Sequence, residues 1–519
     1  MLGPAQLEVI RQGTIAVAEE MKFDLMRTAR SPVLREAGDL SCAVTDAAGR
    51  TVAQGQDIPM HLGVLSFTVQ RLLETVPADA LLPGDVYFTN LPACGGNHLP
   101  DVKAVRPVFG DDGLLAGFAV ALAHWPDVGG ALPGSYVPFA RDIQQEGLVI
   151  PPTRLFAAAG PCEEALRFVL ANVRGTEQRR GDIQAQVAAT SLADARLQET
   201  FATHGVDAVQ EAWRRMQDES AERVRRALSE LPDGTYEGED ALDDDGIGDE
   251  PLAIRVLVTI AGDRAVFDFR RSDPAAHGPV NTTPFIAAAS VAYVVRAVLG
   301  SEIASNDGLL RPLEILTEPG SLLDPGPLAP LVAGNHETSQ RIVDALLRAL
   351  AQAVPERVVA GGMGSSGLAL FSLGGDFLYE THAGGSGASA ARAGDAATRV
   401  HMSNVMNTPA EVIETEYALR VERHELRTRS GGAGRHRGGD GLRRVYRVLA
   451  DDARLTTMVE RSRIAPWGFA GGSDGEPSAV WLERDGVRRQ LRGKGTVELR
   501  RDDVVTVETA GGGGWGNAS

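Results

Sequence analysis

Cysteine is scarce in this chain: Cys42, Cys94 and Cys162 are the only three in 519 residues. They are too few and too scattered for a disulfide framework or a cysteine-based zinc knuckle, so a reducing, cytoplasmic setting is expected. Positive charge is also short, with 51 Lys and Arg against 69 Asp and Glu and a formal charge of −18. Such a surface repels phosphate backbones and anionic lipid, which argues against nucleic-acid and membrane-surface functions. Long hydrophobic runs are missing as well. The longest, Leu114 to Ala123 and Phe285 to Val295, fall well below the roughly 18 residues a membrane span needs. Glu8, Glu19 and Glu20 interrupt the N-terminal stretch, against a secretory signal. No Gly-x-x-x-x-Gly-Lys-Ser/Thr phosphate loop occurs, since the glycine-rich Gly361 to Gly367 lacks the following lysine. No repeat of solenoid period is present.

What is there reads as an ordered globular chain: 43% hydrophobic and 23% charged residues, with 59 glycines marking many tight turns. At roughly 150 residues per domain, the length predicts about three to four subdomains. Apolar Ile10, Val17, Met21 and Leu25 recur at helical spacing. Residues 38–130 alternate short apolar runs with Gly, Pro, Asp and Asn, the pattern of strands and tight turns, with a helix at Val64 to Thr75. Residues 163–230 run long without internal breaks and predict helices. At Leu252, Ile254, Val256, Val258 and Ile260 the period changes to two, then repeats after Gly262-Asp263 at Ala265, Phe267 and Phe269, which predicts a hairpin. The acidic stretch Glu237 to Glu250 lacks EF-hand spacing and reads as a solvated turn. The expected fold is α+β: an N-terminal α/β region (1–162), a helical arm (163–232), a central α/β region (233–416) and a β-rich C-terminal region (417–519).

Two segments carry the residues of greatest chemical interest: Gly95-Gly96-Asn97-His98-Leu99-Pro100-Asp101 and His124-Trp125-Pro126-Asp127-Val128-Gly129-Gly130. Each sets a His three residues before an Asp, beside paired glycines. A strand, a turn at Gly110 to Gly113 and a second strand lie between them, so a hairpin brings both units to one end of a sheet. One such unit more often caps a turn than binds a metal. Two together form the mixed nitrogen and oxygen set that suits Zn²⁺, Mn²⁺ or Fe²⁺ and implies Lewis-acid activation of water. Glu36 and Asp39 lie upstream as carboxylates that read as surface loop, although one of them would complete a coordination sphere. The polar run Asn335-His336-Glu337-Thr338-Ser339-Gln340-Arg341 opens a helix predicted over 338–353. Capping of that helix is the favoured reading, with an anion site clamped by Arg341 as the alternative.

These segments carry a resemblance. Arg35 to Thr45, Gln56 to Gly63, the loop at 95–101, His124 to Gly134, Gln145-Glu146-Gly147-Leu148, Leu170 to Arg174, Gly334 to Arg341, Asn407-Thr408-Pro409-Ala410-Glu411 and Gly511 to Gly516 resemble the hydantoinase B/oxoprolinase family, in family order across nearly the whole chain. The resemblance implies a B-type subunit, in a hetero-oligomer such as A2B2, of an ATP-dependent system that opens hydantoins, 5-oxoproline or lactams. A hydantoinase A-like partner would use ATP and Mg²⁺ to phosphorylate the substrate. Related ketone carboxylases of the acetone and acetophenone type, or a non-catalytic subunit, are the alternatives. It further implies a divalent metal on His98, Asp101 and His124, with Glu36 as a further ligand. Asp127 or His61 is then expected as general base or as orienter of a ligand, and Asn335, Glu337 and Arg341 as substrate or anion contacts. One departure stands beside the loop: Asn90-Leu91-Pro92-Ala93 replaces the relatives' Asn-Asp-Pro-Tyr. With the paired glycines, Leu91 and Ala93 predict a roomy mouth that admits water.

Overall fold

The structure, a computed structural model, describes residues 2–55, 57–96 and 98–518. Gln56 and Asn97, both within the motifs above, lie outside the described residues. The chain is a mixed α+β fold of several sheets. A seven-stranded sheet runs in the order Thr51–Gln54, Leu40–Asp46, Leu115–His124, Asp101–Phe109, Val86–Thr89, Thr153–Ala157, Gly160–Pro161. Its central strands Asp101–Phe109 and Leu115–His124 are buried almost throughout, because helices cover both faces. Helix Val64–Thr75 packs Leu65, Val69 and Leu72 on Val105, Val120 and Leu122. Helix Thr176–His204 lies on the other face, where Gln186 Nε2 donates to the carbonyls of Val102 and Ala121 at 2.8 and 2.9 Å. Strands buried on both faces read as near-continuous apolar runs, and the alanine-rich text of Leu115–His124 leaves room for a helix to approach closely.

The predicted hairpin at 252–269 is present, with Leu252–Ala261 antiparallel to Arg264–Asp268. It belongs to a four-stranded sheet under helix Ser339–Leu350. Seven strands between Leu419 and Glu508 supply the rest of the C-terminal sheets, together with Leu368–Leu373 and Asp376–Glu380. The acidic segment expected as a solvated turn is instead buried: Asp243, Asp244 and Asp245 are 1%, 7% and 8% exposed. Asp243 accepts the Ser462 amide and hydroxyl and the Ile464 amide at 2.6, 2.8 and 2.9 Å, and Lys494 pairs with Asp244. The carboxylates are satisfied by backbone amides, the Ser462 hydroxyl and Lys494, which is what permits burial. Among the described residues no helix is long and apolar enough to cross a membrane.

Candidate metal centre

Register places the site. Leu115–His124 is flanked by Leu40–Asp46 and Asp101–Phe109, with Leu40 opposite Ala123 and Asp101 opposite His124. One step beyond Leu40, Asp39 comes beside His124, where its carbonyl accepts the His124 amide at 3.1 Å. His124 therefore stands between two carboxylates on neighbouring strands, and opposed residues share a face. His98 reaches the same point from the turn that precedes Asp101.

The donor atoms converge. His98 Nε2 lies 3.2 Å from His124 Nδ1 and 3.2 Å from Asp101 Oδ1, and His124 Nδ1 lies 3.3 Å from Asp101 Oδ1. Ligand bonds of about 2.0–2.1 Å at the tetrahedral angle separate donors by about 3.3 Å. The triangle thus has the edge lengths of one face of a tetrahedral ion site. Asp39 Oδ2, 3.9 Å from His124 Nδ1, is the next carboxylate oxygen. His98, Asp101 and His124 are at most 3% exposed. Burial disfavours the Asp101 carboxylate, yet His98, His124 and His61 around it outweigh that and hold its pKa well below the ordinary range.

A second tier of contacts fixes this triangle. His98 Nδ1 donates to the Val332 carbonyl at 2.9 Å, turning Nε2 inward. The Leu331 and Val332 amides in turn donate to Glu146, at 2.9 Å for the shorter contact of each. Glu146 is fully buried, and desolvation pushes its carboxyl up to about 8 in spite of those amides. His61 Nε2 sits 3.4 Å from Asp101 Oδ2 while its Nδ1 meets Ser41 Oγ at 2.8 Å. Asn335 Nδ2 donates to Asp101 Oδ2 at 2.9 Å.

Around the triangle lie Tyr136, Tyr379 and His336. The Tyr379 ring is 4.6 Å from that of His124, and Tyr136 stands 5.5 Å from both Tyr379 and His336 between ring centroids. Burial holds both phenols well above their usual pKa, so they remain hydroxyl donors. His336 occupies a π-helical turn, Gly334–Thr338, ahead of helix Ser339–Leu350; such turns often occur at functional sites. Glu337 Oε1 already accepts the Ser366 amide at 3.1 Å and meets His336 Nδ1 at 2.9 Å. Burial pushes the Glu337 carboxyl up to about 8; an Nδ1–H donated to its Oε1 is the tautomer that leaves Nε2 with its lone pair. That Nε2 is buried without a hydrogen-bond partner. Burial, then the proximity of His98 and His124, holds His336 well below the usual imidazole range and hence neutral.

Several expected roles change. Glu36 is partly exposed, pairs with Arg35 at 2.8 Å and stands outside the cluster; Asp39 takes the place beside His124. Gly38, at φ +67°, separates the two carboxylates and turns the chain between them. Asp127 is not free to act as a base. Its oxygens accept the Gly129, Gly134 and Arg174 amides at 2.7, 2.7 and 3.0 Å and Arg174 Nη1 at 3.0 Å, so it ties the loop after the strand. His61 holds the second oxygen of Asp101, the orienting one of its two expected tasks. Asn335 likewise serves Asp101, and Glu337 serves His336. Arg341 is fully buried, and its Nη2 is bound to Asp344 and to the Gly364 carbonyl at 2.8 and 2.7 Å, while Nε and Nη1 are buried without a hydrogen-bond partner. The favoured capping of helix Ser339–Leu350 is absent too: Thr338 makes no capping bond, and its hydroxyl donates to the Val280 carbonyl.

The paired glycines do not frame a mouth. A Cβ on Gly96 would lie 2.4 Å from Pro92 Cα, and one on Gly129, at φ +90°, 2.4 Å from the Asn172 carbonyl oxygen. These glycines allow backbone to pack on backbone. Leu91 is partly buried and Ala93 exposed, on the turn outside the buried triangle.

The hydantoinase B/oxoprolinase family model matches residues 3–518. The chain belongs to this family. Among family relatives, it is 33% identical to 5-oxoprolinase 1 of Arabidopsis thaliana over 99% of this chain and 42% of that protein. It is 30% identical to a putative D-/L-hydantoinase B-type subunit of a Pseudomonas species, over 99% of this chain and 90% of the other. The chain thus spans about two fifths of the length of the 5-oxoprolinase and nearly all of the separate hydantoinase component. The structure superposes on the ATP-dependent caprolactamase of Pseudomonas jessenii with a TM-score of 0.93 at 30% identity, over 100% of this chain and 92% of that one. It shares its fold with acetone carboxylase, with a TM-score of 0.91 at 18% identity over 99% of this chain and 76% of the other.

Proposed function

We propose that this chain is the ring-opening subunit of an ATP-dependent cyclic amidohydrolase, acting on a hydantoin, 5-oxoproline or lactam that a hydantoinase A-like partner has phosphorylated. The observation that carries the reading is the buried donor triangle of His98, Asp101 and His124, with edges of 3.2, 3.2 and 3.3 Å, faced by an unpartnered imidazole nitrogen. These three residues, with Asp39, would hold a Zn²⁺, Mn²⁺ or Fe²⁺ ion. A divalent ion bound there supplies Lewis-acid polarisation and makes water more acidic. The names of the 5-oxoprolinase, hydantoinase and caprolactamase relatives support the substrate class. The want of a phosphate loop in this sequence supports the assignment of ATP to a partner.

In this reading the neutral His336 accepts a hydrogen bond from the attacking water at Nε2 and orients it. With its Nδ1–H donated to Glu337, the buried, unpartnered Nε2 carries the lone pair. The Tyr379 hydroxyl, which accepts from Tyr136 at 3.4 Å, donates to the substrate's oxygen, and His61 and Asn335 keep Asp101 in place. The closed setting excludes bulk water, which strengthens each of these contacts.

The test is to incubate this chain with its hydantoinase A-like partner, ATP, Mg²⁺ and a panel of hydantoins, 5-oxoproline, lactams and ketones, with and without labelled bicarbonate. Bicarbonate-independent ring opening is expected, and neither ATP nor amide should be consumed by this chain alone. Incorporation of label into a ketone-derived acid would replace hydrolysis with carboxylation; no turnover of any substrate would leave a non-catalytic role. His336→Ala is expected to lower kcat by about 10² while metal content stays at the wild-type level. A variant with unchanged kcat removes His336 from the reaction.

A further inference from the structure

Besides Arg341, a further cation, Arg399, lies on the Tyr379 side of the centre, where its charge acts on the Tyr379 phenol. Among the described residues, Thr381 Oγ1 and Arg399 Nη1 are buried without a hydrogen-bond partner, as are Lys103 Nζ and Arg341 Nη1. Thr381 follows the strand Asp376–Glu380 and is 4% exposed. Tyr379, two residues before it, faces His124, whereas Glu380 points the other way to Arg444 Nη1 at 2.5 Å. Side chains two apart along an extended segment leave on the same side, so the Thr381 hydroxyl is directed with the Tyr379 ring.

Arg399 is braced against this segment. Its Nε donates to the Val405 carbonyl at 2.8 Å, and its Nη2 to the Thr381 carbonyl and Asn407 Oδ1 at 2.9 and 3.1 Å. Those bonds hold the planar guanidinium rigidly and leave Nη1 as its one unused edge. The loop that carries it rests on the other side of the centre, where the Met406 amide donates to the Ala37 carbonyl at 2.9 Å, two residues before Asp39. Arg399 thus sits between Tyr379–Thr381 and Asp39, and its charge is felt by the Tyr379 phenol.

We propose that Arg399 Nη1 and Thr381 Oγ1 form an oxyanion niche beside the metal centre, which takes a phosphoryl or carboxylate oxygen of the substrate. A fixed cation paired with a hydroxyl donor recognises an anionic oxygen, because both contribute hydrogens and neither competes as an acceptor in that geometry. The substrate's identity as a phosphorylated amide rests on the reading above; the niche itself does not. In a phosphorylated amide the anionic oxygens lie close to the carbon under attack, which is where a niche next to the triangle would hold them.

The experiment uses the chelator-treated full chain without partner or ATP, titrated calorimetrically with inorganic phosphate and, in a second arm, with acetate. Saturable binding is expected. Arg399→Met should weaken it about tenfold or more, Arg399→Lys less, and Thr381→Val several-fold, with Thr381→Ser restoring the wild-type value. Because Arg399 also braces its loop, Thr381→Val is the decisive variant, since it removes only the hydroxyl. Tighter phosphate than acetate binding assigns the niche to a phosphoryl group, and the reverse assigns it to a carboxylate. No saturable binding of either anion by the wild type, or binding unchanged in Thr381→Val, overturns the niche. Because metal, ATP and partner are all absent, such a failure leaves the ring-opening assay as an independent judgement on the proposed reaction.

Discussion

Asp101→Ala protein is expected to bind a divalent ion at least about a hundredfold more weakly than the wild type and to lose ring-opening activity. Asp101 is the hub of the centre. Oδ1 meets both ligand imidazoles, at 3.2 and 3.3 Å, while Oδ2 meets His61 at 3.4 Å and Asn335 at 2.9 Å. Its removal takes away one of three or four ligands and also leaves buried donors without an acceptor, each costing roughly 1–3 kcal/mol. Asp101→Asn separates the two effects. The amide keeps the shape and one acceptor oxygen, so most of the fold stability should return, while a neutral ligand leaves the metal weakly held. Elemental analysis and thermal melting of both variants provide the check. Metal content equal to the wild type in Asp101→Ala would move the metal site away from this triangle.

The triangle was legible in the sequence because its geometry is local. A hairpin with its turn at Gly110 to Gly113 brings the two strands together at one end of the sheet, but counting back from the pair Phe109–Leu115 would set Asp101 opposite Ala123; the register shift between Val108 and Phe109, which the sequence does not announce, is what places Asp101 opposite His124. The alternation at 252–260 was legible because it too is local. The similarity of the two His-x-x-Asp units misled in one respect. Asp101 begins a strand and faces the centre, but Asp127 follows the end of one, where free backbone amides outcompete any other task.

The remainder of the site depends on contacts that no local pattern encodes. Asp39 and Glu36 are three residues apart and equally acidic; only the turn at Gly38 and the pairing of Leu40 with Ala123 decide which reaches His124. His336, Tyr136 and Tyr379 arrive from segments far apart in the chain. A histidine beside a glutamate, just ahead of an amphipathic helix, was the available signal for His336. The capping reading assigned that whole run to the helix instead, and the π-helical turn that aims the ring has no recognisable spacing.

The helix that carries this turn is anchored by a buried charge cluster, and breaking it should produce the largest loss of stability. Arg461 Nη2 donates to Asp240 Oδ2 and Asp344 Oδ2 at 2.8 and 2.9 Å, and Arg341 also pairs with Asp344 at 2.8 Å. Arg461 and Asp344 are 0% exposed and Asp240 is 5% exposed. Arg461 thereby joins strand Gly234–Leu242, helix Ser339–Leu350 and the C-terminal region. Arg461→Met keeps much of the volume but removes the cation shared by the two carboxylates, leaving Asp344 to Arg341 and Asp240 to Arg348 at 3.9 Å, at a cost of about 3 kcal/mol. The sign of the pH dependence follows from Asp344. Burial raises its pKa, but Arg341 and Arg461 outweigh burial and hold it far below the ordinary carboxylate range. A depressed folded-state pKa contributes stability in full above the unfolded value of about 3.9, and this is lost as pH falls towards the folded value. The gap between wild type and Arg461→Met should therefore be widest near neutral pH and narrow in acid, as Asp344 in the variant takes up a proton. Urea midpoints measured at neutral pH and near pH 4 test this. A variant as stable as wild type at neutral pH would mean that water, not Arg461, compensates the Asp240 and Asp344 charges.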